Sequence, residues 1–198
     1  YDMNNGKIFA HGHYSHEFRV YDFSTDSWES LTSPGFNGGG GIALVYDINN
    51  GKIFAHGHYS HEFKAYDYST DSWESLTSPG FNGGDGIALA YDMNNRKIFA
   101  HGHYSHEFKA YDYSTDSWES LTSPGFNGGN GIALAYDLNN RKIFAHGHYS
   151  HEFRAYDYST DSWESLTSPG FNGGGGISMG FIQNFNKRLV STNGEPYS

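Results

Sequence analysis

Apolar residues fall in short runs along the whole chain, each bounded by Gly, Asn, Asp, Ser or His, and helical periodicity is absent. Runs of that length between turn signals are what strands need; a helix needs a longer amphipathic stripe. Gly86 to Tyr91 (GIALAY) reads as a first strand, Asp92 to Arg96 (DMNNR) as a turn, and Lys97 to His103 (KIFAHGH) as a second strand. Glu107 to Tyr113 (EFKAYDY) is a third strand, Ser114 to Asp116 a turn, and Ser117 to Leu121 (SWESL) a fourth. The segment TSPGFNGGN then leads into the next first strand.

This pattern recurs. Tyr1, Tyr46, Tyr91 and Tyr136 open copies of one 45-residue unit, giving repeats at 1–45, 46–90, 91–135 and 136–180 and a degenerate closing half-repeat at 181–198. Only nine positions of the unit vary: those of Met3, Gly6, Arg19, Val20, Phe23, Gly40, Ala43, Leu44 and Val45. Such near-identity fits recent duplication or deliberate construction. Four antiparallel strands per 45 residues is the spacing of a β-propeller blade, so an all-β, single-domain propeller over residues 1–198 is expected.

Nothing equivalent to GIALAY precedes Tyr1, whereas Gly176 to Gln183 (GISMGFIQ) and Arg188 to Gly194 (RLVSTNG) form a degraded copy of strands one and two. The ring is therefore expected to close through the C-terminal strand or through a partner chain. An unmatched strand at one end and a gap at the other also permit head-to-tail assembly by strand exchange.

The unit resembles a kelch repeat. An apolar first strand is followed by K-I-F-A-H-G where kelch blades carry G-K-I-Y-V-x-G-G, then by E-F-K-A-Y-D, then by S-T-D-S-W-E-S-L in place of the aromatic-acidic turn and Trp strand. The Tyr-to-Trp spacing, Tyr66 to Trp73 for example, is its most specific part, and the resemblance covers about 180 residues. It implies a propeller of the kind that serves as a protein-binding module, a sugar-binding protein or an oxidase.

Composition narrows these choices. With 22 acidic against 12 basic side chains the formal charge is -10, which argues against nucleic acid and anionic membranes as partners. No run of about 18 apolar residues is present. The chain opens on Tyr1 with neither an initiator Met nor a signal-type segment, so it reads as processed or as part of something longer. Zero cysteines exclude disulfides, thiolate metal sites and the cysteine-tyrosine chemistry of kelch-type copper oxidases. Compartment is left open, leaning extracellular.

All 12 histidines sit in one motif, H-G-H-Y-S-H-E: His11, His13 and His16, then His56, His58 and His61, His101, His103 and His106, and His146, His148 and His151. If Tyr14 and Ser15 form a two-residue hairpin turn, His13 and His16 oppose each other across the strands and His11 shares their face by the period of two. Three converging imidazoles would suit Zn, Cu or Ni. Otherwise the histidines hydrogen-bond neighbouring backbone, Asp or Tyr groups as a packing ladder, or contact a ligand. Full protonation would move the formal charge from -10 to +2 near pH 6 to 6.5, where solubility should be poorest.

The loop T-S-P-G-F-N-G-G-x-G should emerge on the same face as the Tyr14 turn. Phe36 and Asn37, with Phe81 and Asn82, Phe126 and Asn127, and Phe171 and Asn172, then combine with Tyr14, Tyr59, Tyr104 and Tyr149 as candidate ligand-binding residues. An aromatic ring can stack on a pyranose while the amide supplies a donor and an acceptor. The competing reading has Phe plugging the gap between blades and the glycines simply turning the chain. Asp22 and Asp26 read as turn and capping residues, Asp2, Asn4 and Asn5 do not supply a calcium loop, and Phe9, Tyr21 and Trp28 read as blade core.

Four copies of the same side chains in the same surroundings do not divide the unlike roles that catalysis needs, so no enzymatic activity is expected. Two functions remain. One is a multivalent, lectin-like binding module for a glycan or protein ligand. The other is a self-assembling or filament-forming extracellular protein, cross-linked by metal at the histidine hairpins in one version. Neither requires a cofactor.

Overall fold

The computed structural model describes residues 6–36, 39–84, 86–173 and 178–180. All regular structure in them is β. Blade 1 holds β1 (Lys7–His11), β2 (Phe18–Asp22) and β3 (Ser27–Leu31). Blade 2 holds β4 (Ala43–Asp47), β5 (Lys52–His56), β6 (Phe63–Asp67) and β7 (Ser72–Leu76). Blade 3 holds β8 (Ala88–Asp92), β9 (Lys97–His101), β10 (Phe108–Asp112) and β11 (Ser117–Leu121), and blade 4 holds β12 (Ala133–Asp137), β13 (Lys142–His146), β14 (Phe153–Asp157) and β15 (Ser162–Leu166). Each sheet is an antiparallel meander in chain order, three-stranded in blade 1 among the described residues and four-stranded in the others.

Local chemistry explains the meander. The turn after β8 is held by Asp92, whose Oδ1 accepts the Asn94 amide at 2.9 Å and whose Oδ2 accepts Asn95 Nδ2 at 2.7 Å. Its last residue is left-handed in every described copy: Gly6 (φ 63), Gly51 (φ 67), Arg96 (φ 55) and Arg141 (φ 56). Glycine takes that conformation without strain and arginine does not, so the later copies carry a local cost at this corner. After β10, Asp112 Oδ1 accepts the Ser114 amide at 2.8 Å and Asp116 takes the left-handed position at φ 46.

The strands are shorter than expected at one corner. The second strand ends at His101 rather than His103, and the third begins at Phe108. The fourth, Ser117–Leu121, falls where the sequence places it. Residues Gly176–Ile177 and 181–198 lie outside the described residues, as do Asp2, Asn4 and Asn5, and Ser178–Gly180 carries no strand.

Blades stack face to face, so the inner strands are apolar on both sides. Ile98, Phe99, Ala100 and His101 are each at most 2% exposed, whereas most of β11 faces solvent. Each fully buried Phe or Ile stabilises the stack by about 1.5–3 kcal/mol. At every internal seam one blade offers two phenylalanines and the next offers Tyr and Trp. Phe63 lies 4.9 Å from Tyr111 and 5.0 Å from Trp118 between ring centroids, and Phe18 and Phe108 make the same pair of contacts one blade earlier and later.

A polar latch accompanies the rings. Thr77, leaving blade 2, donates its amide to Asp116 Oδ1 at 2.8 Å and its hydroxyl to Oδ2 at 3.0 Å. Trp118 Nε1 donates back to the Thr77 carbonyl at 2.8 Å, and Tyr111 donates its hydroxyl to Asp116 at 2.7 Å. Thr32 with Asp71 and Trp73, and Thr122 with Asp161 and Trp163, repeat it. The repeated aspartates are thus ties between blades as well as turn residues. Trp28 departs from its expected core role: it is 53% exposed, whereas Trp73, Trp118 and Trp163, each covered by a Phe of the preceding blade, are half-buried.

Candidate functional site

The β9–β10 connection is a six-residue loop rather than a two-residue turn. The ladder ends at the pair His101 and Phe108, and the Gly102 amide then donates to the Glu107 carbonyl at 3.2 Å. The tip is His103-Tyr104-Ser105-His106, braced by the Glu107 amide on Ser105 Oγ at 2.9 Å. Only Tyr104 is left-handed (φ 45), and a two-residue type I′ hairpin would need two such residues. His103 and His106 are therefore not an opposed cross-strand pair, and neither are His13 and His16 in blade 1, whose ladder ends at His11 and Phe18.

The three histidines of each motif have separate environments. His56, His101 and His146 are buried, each with Nδ1 3.1–3.2 Å from the carbonyl oxygen of the following glycine. Their rings stack on Phe81, Phe126 and Phe171 at 5.8, 6.0 and 5.5 Å, and His11 stacks on Phe36 at 5.9 Å. Burial pulls the pKa of His56 and of His101 down to about 4, and that of His11 downward as well. His58, His103 and His148 are half-buried, and His16, His61, His106 and His151 are exposed. Among the described residues no group of three or more His, Asp or Glu side chains is placed to hold a metal ion.

The loop before each first strand does lie against the tyrosine turn. The Gly83 amide donates to the Ser60 carbonyl at 3.0 Å, and Gly128 and Gly173 do the same to Ser105 and Ser150. A Cβ on Gly83 would stand 2.1 Å from the Gly57 carbonyl oxygen. A Cβ on Gly84 would stand 1.8 Å from Nδ1 of His103, so this glycine is the cradle of the half-buried imidazole. Gly39 and Gly129 cradle His58 and His148 likewise. His103 Nε2 also lies 2.9 Å from Asn130 Oδ1, at one of the positions that vary between repeats.

The loop phenylalanines turn inward. Phe36, Phe81 and Phe126 are 4–6% exposed, and Lys109 Nζ sits 5.4 Å above the Phe81 ring while donating to the Pro79 carbonyl at 2.7 Å. These three plug the seam and are not available to a ligand. Phe171 is exposed. Asn82 and Asn127 each accept the amide of the glycine two residues on, at 2.9 and 2.8 Å, as local turn residues. Asn37 lies outside the described residues, and Asn172 is exposed.

What is accessible in all four repeats is tyrosine. Tyr14, Tyr59, Tyr104 and Tyr149 are 62–73% exposed, and all four are left-handed at φ 45–48. Each ring packs on the preceding histidine, His13, His58, His103 or His148, at 3.9–4.2 Å. Tyr14 also meets His58 edge-on at 6.4 Å, and Tyr59 meets His103 at 6.5 Å. Imidazole and phenol rings thus alternate from blade to blade along one rim. Sequence reasoning placed these tyrosines beside the glycine-rich loop but missed the glycine cradles and the Thr–Asp–Trp latch. The signal for both was present, since Gly39, Thr32, Asp26 and Trp28 and their copies are among the invariant positions of the unit.

No family model matches the sequence, and no curated protein matches it. The fold is similar to that of a chain in the crystal structure of a nidogen/laminin complex, at 10% identity and a TM-score of 0.71. The match covers 90% of this chain and 66% of that one, so this chain spans just under two thirds of its neighbour's length. At that identity the likeness speaks to architecture alone: the chain is built as a β-propeller of repeated antiparallel blades.

Proposed function

We propose that this chain is a non-catalytic, multivalent binding propeller whose ligand contacts are the Tyr14, Tyr59, Tyr104 and Tyr149 rings. One observation carries the reading: a bulky aromatic residue is kept in a left-handed, solvent-exposed position in all four repeats. That conformation costs a non-glycine residue of order 1 kcal/mol, and strain held at an exposed site points to a role there. Carbohydrate is the ligand class we favour, because an exposed phenol ring flanked by an imidazole offers a stacking face beside hydrogen-bonding groups. The resemblance of the repeat to a kelch repeat agrees with a binding role. Four weak, equivalent sites would gain strength from avidity rather than from any one contact.

The double variant Tyr59→Ala, Tyr104→Ala should fold and should lose roughly tenfold or more of its apparent affinity for a multivalent glycan surface. Glycan-array binding with competition by free monosaccharide measures this. Unchanged binding in the double variant would overturn the reading. Binding to a protein surface that free sugar does not compete would favour a second reading, a protein partner. The likeness to a chain solved in a complex favours that alternative.

A further inference from the structure

Each internal seam joins the trailing face of one blade, with its Phe pair, Thr and Pro, to the leading face of the next, with its Tyr, Trp and Asp. Among the described residues, the first and last blades leave one half of that seam uncovered each. On blade 1, Ile8 is 43% exposed while Ile53, Ile98 and Ile143 are at most 3%, and Phe23 is 78% exposed. The latch there is already set: Tyr21 donates to Asp26 at 2.8 Å, Asp26 is left-handed at φ 50, and Tyr21 packs on Trp28 at 5.3 Å. On blade 4 the complementary half is exposed. Pro169 is exposed where Pro34, Pro79 and Pro124 are buried, and Phe171 is 57% exposed against 4–6% for its copies. Phe144 and Phe153 are half-buried where Phe54, Phe63, Phe99 and Phe108 are at most 1% exposed.

We propose that the leading face of blade 1 docks on the trailing face of blade 4 in a second copy of this chain, rebuilding the internal seam between molecules. Asp26 would take the amide and hydroxyl of Thr167 in the second copy, and the Trp28 indole would donate to its carbonyl. The seam itself points to this occupant, since it occurs three times within the chain with the same rings and the same latch. One substitution distinguishes the end face from the internal seams. Internal seams join Tyr113 to Glu74 and Tyr158 to Glu119 through the phenol hydroxyl, whereas the position equivalent to those tyrosines in blade 1 is Phe23. Its counterpart Glu164 keeps its bond to Lys142 at 2.7 Å, so a seam between copies would lack this one hydroxyl bond. The contact is heterologous, head to tail, and yields a ring if its rotation closes or a filament if it does not. It is independent of what the tyrosine rim binds, and it uses packed faces rather than an exchanged strand.

Trp28→Arg and Phe171→Arg test it, since both side chains are exposed in the single chain and each blocks one face only. Sedimentation of the 198-residue chain over a wide concentration range should show mass growing in multiples of 22.1 kDa. Each variant alone should stay at 22.1 kDa with an unchanged circular dichroism spectrum and melting temperature. An equal mixture should form a dimer of twice that mass and stop, because only one good seam can form. A wild-type chain monomeric at every concentration, assemblies that persist in Trp28→Arg, or a mixture that stays monomeric would each overturn the proposal.

Discussion

A proton added to His101 would place a cation against Phe126 inside a seam, which is why burial holds that group, and His56, near pKa 4. Both values lie below the ordinary imidazole value of 6.5, so the unfolded chain binds the extra protons first. Stability is then full above pH 6.5 and falls as pH drops toward 4, by about 3 kcal/mol for each of the two groups. Urea midpoints measured at intervals from pH 7.5 to pH 4.5 should decline through that window and hold steady above it. The same burial alters the expected charge reversal. With His56 and His101 still neutral, the formal charge falls short of +2 over pH 6 to 6.5. Gly84 makes a second residue-scale case. At φ +45, with His103 Nδ1 where a Cβ would stand, Gly84→Ala should cost about 1–3 kcal/mol and displace the imidazole from the rim. Thermal melting and the tyrosine fluorescence of the variant measure both effects. Neither consequence was legible from composition, which counts histidines without saying which are dry.

Strands were the most legible elements, because four short apolar runs with turn residues between them admit few other readings. The corner after His101 was misjudged for a definite reason. Period-two patterning continues through KIFAHGH, but the Gly102 amide pairs with the Glu107 carbonyl and ends the ladder at a longer loop. That one difference gives the three histidines of each motif separate environments. Alternation also fails on the inner strands, where Ile98 and Phe99 are both buried because a blade lies on each side. The latch is an element-scale device, joining strand four of one blade to the turn before strand four of the next. Hydrogen bonds from Tyr66 and Thr32 hold the Asp71 carboxyl below the ordinary carboxylate range. Asp71→Ala should therefore leave the Thr32 amide and the Tyr66 hydroxyl without their acceptor and destabilise the chain by about 1–3 kcal/mol. Denaturant midpoints read at pH 7 check this, and the same substitution at Asp26, which carries no Thr bond among the described residues, should cost less.

Across the whole molecule, stability should follow position in the array rather than sequence. Blades 2 and 3 have neighbours on both faces, while blades 1 and 4 carry the exposed Trp28 and Phe171. Amide hydrogen exchange should accordingly be slowest in β5 and β9 and faster in β1 and β14, although β5 and β9 share the sequence of β1. The all-β architecture and the tyrosine rim were readable from the repeat, whereas the inward turn of Phe81 was not. An aromatic ring in a glycine-rich loop has the same sequence whether it faces a sugar or a neighbouring histidine. The latch has one further consequence. Its Thr, Asp and Trp are identical in every copy, so the chemistry of one seam carries no address distinguishing it from the others. What assigns the leading face of blade 3 to the trailing face of blade 2 rather than to that of blade 1 or blade 4 is tether length, the short run from Leu76 to Ala88. Order along this chain is thus enforced by connectivity, in the way beads keep sequence on a string, and any two blades freed from it are equivalent partners.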